Sequence, residues 1–268
     1  MNKFPIGVFD SGIGGLSVVK QIMQTLPNED IIYFGDIARI PYGTKSTATI
    51  REFTRQTVSF LLEKKVKALV IACNTISAVA YETVSELAGQ IPVIDVISGG
   101  IDAIVNHNKV YKSVGIIATP VTIKSNAYQN GIRRHTKTNI NIISKACPLF
   151  VPLIEEGLLD HPAMNAIATD YLEIFNQNKI DALILGCTHY PMITNVIQNT
   201  IHYKLDIIDP AINTSHILRH KLTSLNLLHP KTHTPHYTFY ITDNLDKFIK
   251  LGEMFLNIAL PNTHLVTI

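Results

Sequence analysis

Short runs of β-branched and apolar residues alternate with longer amphipathic segments from residue 5 to residue 209. That pattern restricts the chain to parallel strands joined by crossover helices. The runs read as strands are 5–10 (PIGVFD), 30–35 (DIIYFG), 68–73 (ALVIAC), 92–96 (PVIDV), 113–118 (SVGIIA), 140–145 (INIISK), 182–187 (ALILGC) and 205–209 (LDIID). Helices are expected between them, for example over 15–26 and 48–66. The fold class is therefore α/β, with mostly parallel sheets flanked by helices.

The alternation also repeats itself. Gly7 matches Gly115 at an offset of 108 residues, while Cys73 matches Cys187 and Asp95 matches Asp209, both at 114. A drift of this size is what loop-length changes produce, so two related units are expected, joined near 97–100 (ISGG) and again near 210. Residues 236–242 read as a further strand and 245–260 as a closing helix. They have no counterpart in the second unit, so they are expected to pack back on the first. The division is then 1–97 plus 212–268 for one α/β domain and 98–211 for the other, with the active site in the cleft between them.

Composition narrows the function. The 46% hydrophobic content is enough for one or two cores, and the net charge of +2 provides no concentrated basic face for a nucleic acid. The longest apolar runs are far too short to cross a bilayer, and the amino terminus has no signal-peptide core, so a cytoplasmic location without a membrane partner is expected. Three cysteines cannot build a disulfide framework, and free thiols are expected. No C-x-x-C pair is present, and Cys187 with His189 is a poor start for a metal site. The histidines of 229–237 (HPKTHTPHY) are interrupted by two prolines with mixed spacing, which favours a surface loop.

Cys73 and Cys187 each stand where a buried strand stops, and each is followed closely by a threonine. Ligands of open α/β sheets bind beyond the carboxyl ends of the strands. If the two units face each other, the thiols flank one small ligand. A thiol of ordinary pKa about 8.5 moves readily between acid and base near neutral pH. One thiolate can remove a proton from a carbon while the opposite thiol delivers another, which inverts a stereocentre. A nucleophilic hydrolase needs one cysteine and gives the second no task. Without an electron sink, the developing carbanion needs fixed donors around the substrate carboxylate. Asn74, Thr75 and Thr188, with the backbone amides after each cysteine, are the candidates. Cys147, unpaired and followed by proline, reads as structural, and Asp36 with Arg39 reads as an ion pair that shapes its loop.

Six linked segments, FDSGIGGLSV (9–18), YFGDIARIPYG (33–43), ACNTISA (72–78), VIDVISGG (93–100), ATPVTIKSNAY (118–128) and GCTHYP (186–191), resemble the cofactor-independent glutamate racemases of the aspartate/glutamate racemase superfamily. The resemblance spans roughly residues 5 to 215. It implies a peptidoglycan role in supplying D-glutamate, no cofactor or metal, glutamate as the small-molecule substrate, and a homodimer as a common assembly. Cys73 and Cys187 would be the acid/base pair, assisted by Asp10 on the first side and by His189 and Glu155 on the second, with Glu156 the weaker alternative to Glu155. Substrate contacts would come from Asp10, Ser11, Tyr42, Gly43, Asn74, Thr75, Thr119, Thr188 and His189. His189 and Tyr190 in CTHYP favour glutamate over aspartate or hydantoins. The chain departs from the family pattern at 240–244, where YITDN replaces a YTSGD-like turn.

Overall fold

The computed structural model describes residues 3–106, 109–136 and 139–268. Its strands are β1 (Ile6–Asp10), β2 (Ile31–Gly35), β3 (Ala68–Ile71), β4 (Val93–Asp95), β5 (Ser113–Ala118), β6 (Asn141–Ala146), β7 (Ala182–Gly186), β8 (Asp206–Ile208), β9 (Tyr237–Ile241) and β10 (Thr263–Leu265). They form a six-stranded sheet in the order β10-β9-β2-β1-β3-β4 and a four-stranded sheet in the order β6-β5-β7-β8. Every strand pairing among the described residues is parallel.

The order β2-β1-β3-β4 in one sheet is the order β6-β5-β7-β8 in the other. Gly7 and Gly115 lie on the equivalent central strands, and Asp95 and Asp209 follow or end the equivalent edge strands. The two aspartates also do the same work. Asp95 accepts a hydrogen bond from the Ser98 amide at 3.0 Å, and Asp209 accepts one from the Ala211 amide at 3.0 Å. Each carboxylate thus satisfies an orphan donor at the start of a helix, Val96–Val105 and Pro210–Ser224 respectively.

Alternate residues of the strands enter opposite faces. Ile6 and Val8 of β1 join Val70 in one core, while Phe9 joins Leu69 and Ile71 in another. In the second sheet Leu183 and Leu185 of β7 face one core, and Ala182 and Ile184 the other. Burial on both faces is why these strands read as continuous apolar runs, and each large side chain so buried contributes about 1.5–3 kcal/mol. No helix among the described residues is long and apolar enough to cross a membrane.

Most expected strands run one or two residues beyond those observed. The largest difference is at 68–73, where pairing stops at Ile71 and Cys73 instead caps the helix Asn74–Ala88. The segment 245–260 is helical only over Leu245–Leu256, ending at Asn257 in a left-handed conformation. β10 was not expected from the sequence. It is a three-residue edge strand whose pairing with β9 is nonlocal.

The junction at 97–100 lies inside the helix Val96–Val105, which packs against Pro210–Ser224. These two helices carry the chain out of the first sheet and back to it. Gly99 permits their close approach, since a Cβ there would stand 2.2 Å from Thr214 Oγ1 and 2.7 Å from the Pro210 carbonyl oxygen. A backbone carbonyl cannot swing aside as a side chain can. Gly99→Ala is therefore expected to destabilise the protein by about 1–3 kcal/mol, read as a lower midpoint in thermal or urea unfolding. An unchanged midpoint would contradict this packing.

Candidate active site

Both cysteines lie at the carboxyl ends of parallel strands. Cys73 follows β3 and has extended backbone angles, while Cys187 follows β7 and precedes the short turn of 3-10 helix Tyr190–Ile193. Both line one cavity, together with Ser11, Tyr42, Gly43, Asn74, Thr75, Thr119, Thr188 and His189. The sequence expectations named all of these. The cavity also takes in Ile40, Pro41, Thr44, Pro120, Pro148 and Val151, which carried no chemical signal. Its volume of about 30 Å³ holds water but not an amino acid.

Asp10 and Glu155 stand behind this lining. Asp10 is buried at the end of β1, where its Oδ2 accepts hydrogen bonds from the Gly15 amide at 2.7 Å and from Thr188 Oγ1 at 3.3 Å. Its Oδ1 is buried without a hydrogen-bond partner among the described residues. Burial pushes Asp10 above the usual carboxylate range, against the opposing pull of the His189 charge and the Cys73 thiol. Cys73 Sγ lies 3.7 Å from Ser11 Oγ. Burial, and then the neighbouring Asp10 charge, push the Cys73 thiol well up.

The second side uses different groups. Cys187 Sγ is 3.7 Å from His189 Nδ1, and the other ring nitrogen, Nε2, is 2.7 Å from Glu155 Oε1. Burial alone would lower the His189 pKa, but hydrogen bonding to Cys187 and Glu155, with their charges, raises it well above the ordinary value. Burial likewise raises Glu155, and the His189 hydrogen bond and charge more than reverse this. The imidazole thus lies between a sulfur and a carboxylate. Glu156 points elsewhere, forming an exposed pair with Lys247 at 3.5 Å.

Polar contacts cross the cleft throughout. Thr75 Oγ1 meets Thr119 Oγ1 at 2.9 Å, and the Tyr128 hydroxyl donates to Asn74 Oδ1 at 2.6 Å. Tyr128 was not singled out from sequence, although it ends the segment ATPVTIKSNAY; only the fold brings it opposite Asn74. Gly14 allows the units to meet, since a Cβ there would be 2.5 Å from both His189 Nδ1 and Thr188 Oγ1.

Asp36 and Arg39 do form an ion pair, with Arg39 Nε 2.6 Å from Asp36 Oδ2. The Tyr42 hydroxyl donates to the same carboxylate, and Thr242 Oγ1 donates to its other oxygen at 3.0 Å. The divergent segment 240–244 thus supports the loop that carries Tyr42. Cys147 is buried and does not line the cavity, and all three thiols are free.

The family model described as Asp/Glu/Hydantoin racemase matches residues 6–214. Among curated relatives, a glutamate racemase of Chlorobium phaeobacteroides is 46% identical over 98% of this chain and 96% of its own. One from Neisseria meningitidis serogroup B is 45% identical over 98% and 97%. Among solved structures, a glutamate racemase from Francisella tularensis in complex with D-glutamate is 49% identical, with a TM-score of 0.92 over 100% of this chain and 98% of that one. A glutamate racemase isoform from Bacillus anthracis gives a TM-score of 0.94 at 33% identity, covering 100% and 99%. With paired strand-end thiols in one cleft and matches over nearly its whole length, the chain belongs to the Asp/Glu/hydantoin racemase family.

Proposed function

We propose that this protein is a glutamate racemase, an isomerase that interconverts L- and D-glutamate and supplies the D-enantiomer for peptidoglycan. The carrying observation is that Cys73 and Cys187, one from each sheet unit, line the same cavity. Relatives at 42–46% identity bear the same activity in their names. The units would act as two lobes, 1–97 with 212–268 and 98–211, opening to admit substrate.

In this mechanism one sulfur, as thiolate, takes the α-proton from one face of glutamate. The electron pair left on the α-carbon is then protonated from the opposite face by the other thiol, and the configuration is inverted. Each turnover leaves the two sulfurs with exchanged protonation states, and the reverse reaction restores them. Both protons travel through sulfur, so the proposed reaction needs no added pyridoxal phosphate or metal. The amides at the start of the helix Asn74–Ala88, with Ser11, Asn74, Thr75, Thr119 and Thr188, would hold the substrate carboxylate and stabilise the carbanion.

Proton traffic at each sulfur has its own helper. Asp10, its pKa raised by burial, is suited to receive a proton from the Cys73 side when the lobes close. His189, held as a cation by Glu155 and Cys187, stabilises an adjacent thiolate and can return a proton to it. Tyr42 and Gly43 complete the wall on a loop braced by Asp36.

Purified protein should racemise L-glutamate in metal-free buffer without pyridoxal phosphate, and in heavy water loss of rotation should accompany α-deuteration. Constant circular dichroism of the glutamate solution in the presence of folded protein would refute the assignment. Cys73→Ala and Cys187→Ala should each lower kcat by roughly 10²–10⁴-fold or more while the far-ultraviolet spectrum is retained.

A second expectation follows from the pair behind Cys187. His189 has a raised pKa, so it is protonated through neutral pH and loses its proton only on the basic side. Glu155→Gln removes a charge that supports that cation, so the basic limb of the kcat/KM profile should move to lower pH by on the order of one unit. An unmoved limb would show that Glu155 does not set the protonation of His189.

A further inference from the structure

At the end of the first sheet opposite the cysteines, the fold gathers ligating side chains that are far apart in sequence. Asp30 immediately precedes β2, while His229 and His233 come from the loop leading to β9, about two hundred residues later. One ligand atom from each lies within 4.8 Å of the other two. The spacing of 229–237 alone argues for a surface loop, because the carboxylate that completes the set is supplied by another strand.

We propose that Asp30, His229 and His233 form a binding site for Zn²⁺ or a neighbouring first-row divalent cation, which clamps this loop to the start of β2. Two imidazoles and one carboxylate are the donor set that such ions take in preference to Mg²⁺ or Ca²⁺, with a fourth position left to water.

The loop is already held in place. Asn28 Nδ2 donates to the carbonyl oxygens of Lys231 at 3.0 Å and His233 at 2.9 Å. The His236 amide donates to Asp30 Oδ1 at 2.7 Å, and its carbonyl accepts from the Ile31 amide at 3.0 Å. His229 is fixed through its amide, which donates to Glu29 Oε1 at 2.7 Å. Its ring is the independent pointer to a ligand. His229 is only 9% exposed, and its Nε2 is buried without a hydrogen-bond partner among the described residues. A buried imidazole nitrogen left unpaired is costly.

Nearby, Lys67 is ion-paired with Glu29. His233 Nε2 lies 2.8 Å from Asp30 Oδ1. A cation bound at this nitrogen would replace that hydrogen bond with an N–metal and an O–metal bond, the neutral ring carrying its proton on Nδ1. β2 is five residues long, roughly 17 Å, and Asp36 follows its other end, so the cation would be a structural clamp remote from the thiols.

The test is titration of the purified full chain with Zn²⁺ in non-chelating buffer, with Mg²⁺ as control and Co²⁺ as a spectroscopic probe. The expected result is one saturable equivalent of Zn²⁺ that raises Tm, no response to Mg²⁺, and a Co²⁺ d–d spectrum without a thiolate charge-transfer band. His233→Gln and His229→Gln should each weaken this binding by at least the roughly 10–100-fold that loss of a supporting group costs a metal site. Asp30→Asn, which keeps an acceptor oxygen for the His236 amide, provides the same test should a histidine variant fail to fold. No saturable equivalent, a Co²⁺ spectrum carrying the thiolate band, or undiminished affinity in folded variants would overturn the proposal.

Discussion

The same backbone event fixes both sulfurs: a parallel strand stops and the chain turns toward a helix at the carboxyl edge of its sheet. At β3 the pairing ends two residues before Cys73, which opens the helix Asn74–Ala88. At β7 it ends immediately before Cys187. Side chains at such turns point into the crevice above the sheet because both faces below are filled by apolar packing. Repetition of one strand order in both sheets sets two such turns against each other. The proposed two-thiol chemistry depends on that opposition more than on any feature peculiar to either cysteine.

The repeat supplies position but not identical surroundings. Beside Cys73 stands a carboxyl group whose pKa is raised by burial, and beside Cys187 an imidazole whose pKa is raised by its neighbours. An anion raises the pKa of the adjacent thiol, whereas a cation favours the thiolate. The surroundings of the two sulfurs therefore differ in electrostatic character, which suits the proposed reaction, begun with one sulfur protonated and the other not. Thr188 ties the two sides together, since it follows Cys187 yet donates to Asp10.

Local pattern was enough to read the eight strands of the repeat, the paired cysteines, the matching of Asp95 with Asp209 and the ion pair of Asp36 with Arg39. All of these depend on residues close in sequence or on a periodicity that burial imposes. The missed features depend on long-range approach. Tyr128 earns its role only because a second sheet brings it to Asn74, and β10 exists only because β9 offers an edge. Asp30 carries no signal until the loop beyond residue 226 folds over it. The strand-end overreach at 68–73 has another cause: an apolar run shows where burial continues, not where hydrogen-bond pairing stops.

The attachment of β9 to β2 bears on how the molecule is made. Gly35 pairs with Ile241 across more than two hundred intervening residues, so the amino-terminal sheet keeps an open edge while the rest of the chain emerges from the ribosome. The whole of β5 to β8, by contrast, lies between residues 113 and 208 and can be assembled without the termini. By topology alone, the inserted sheet can be completed by a chain that has not yet supplied β9 and β10, whereas the first sheet cannot.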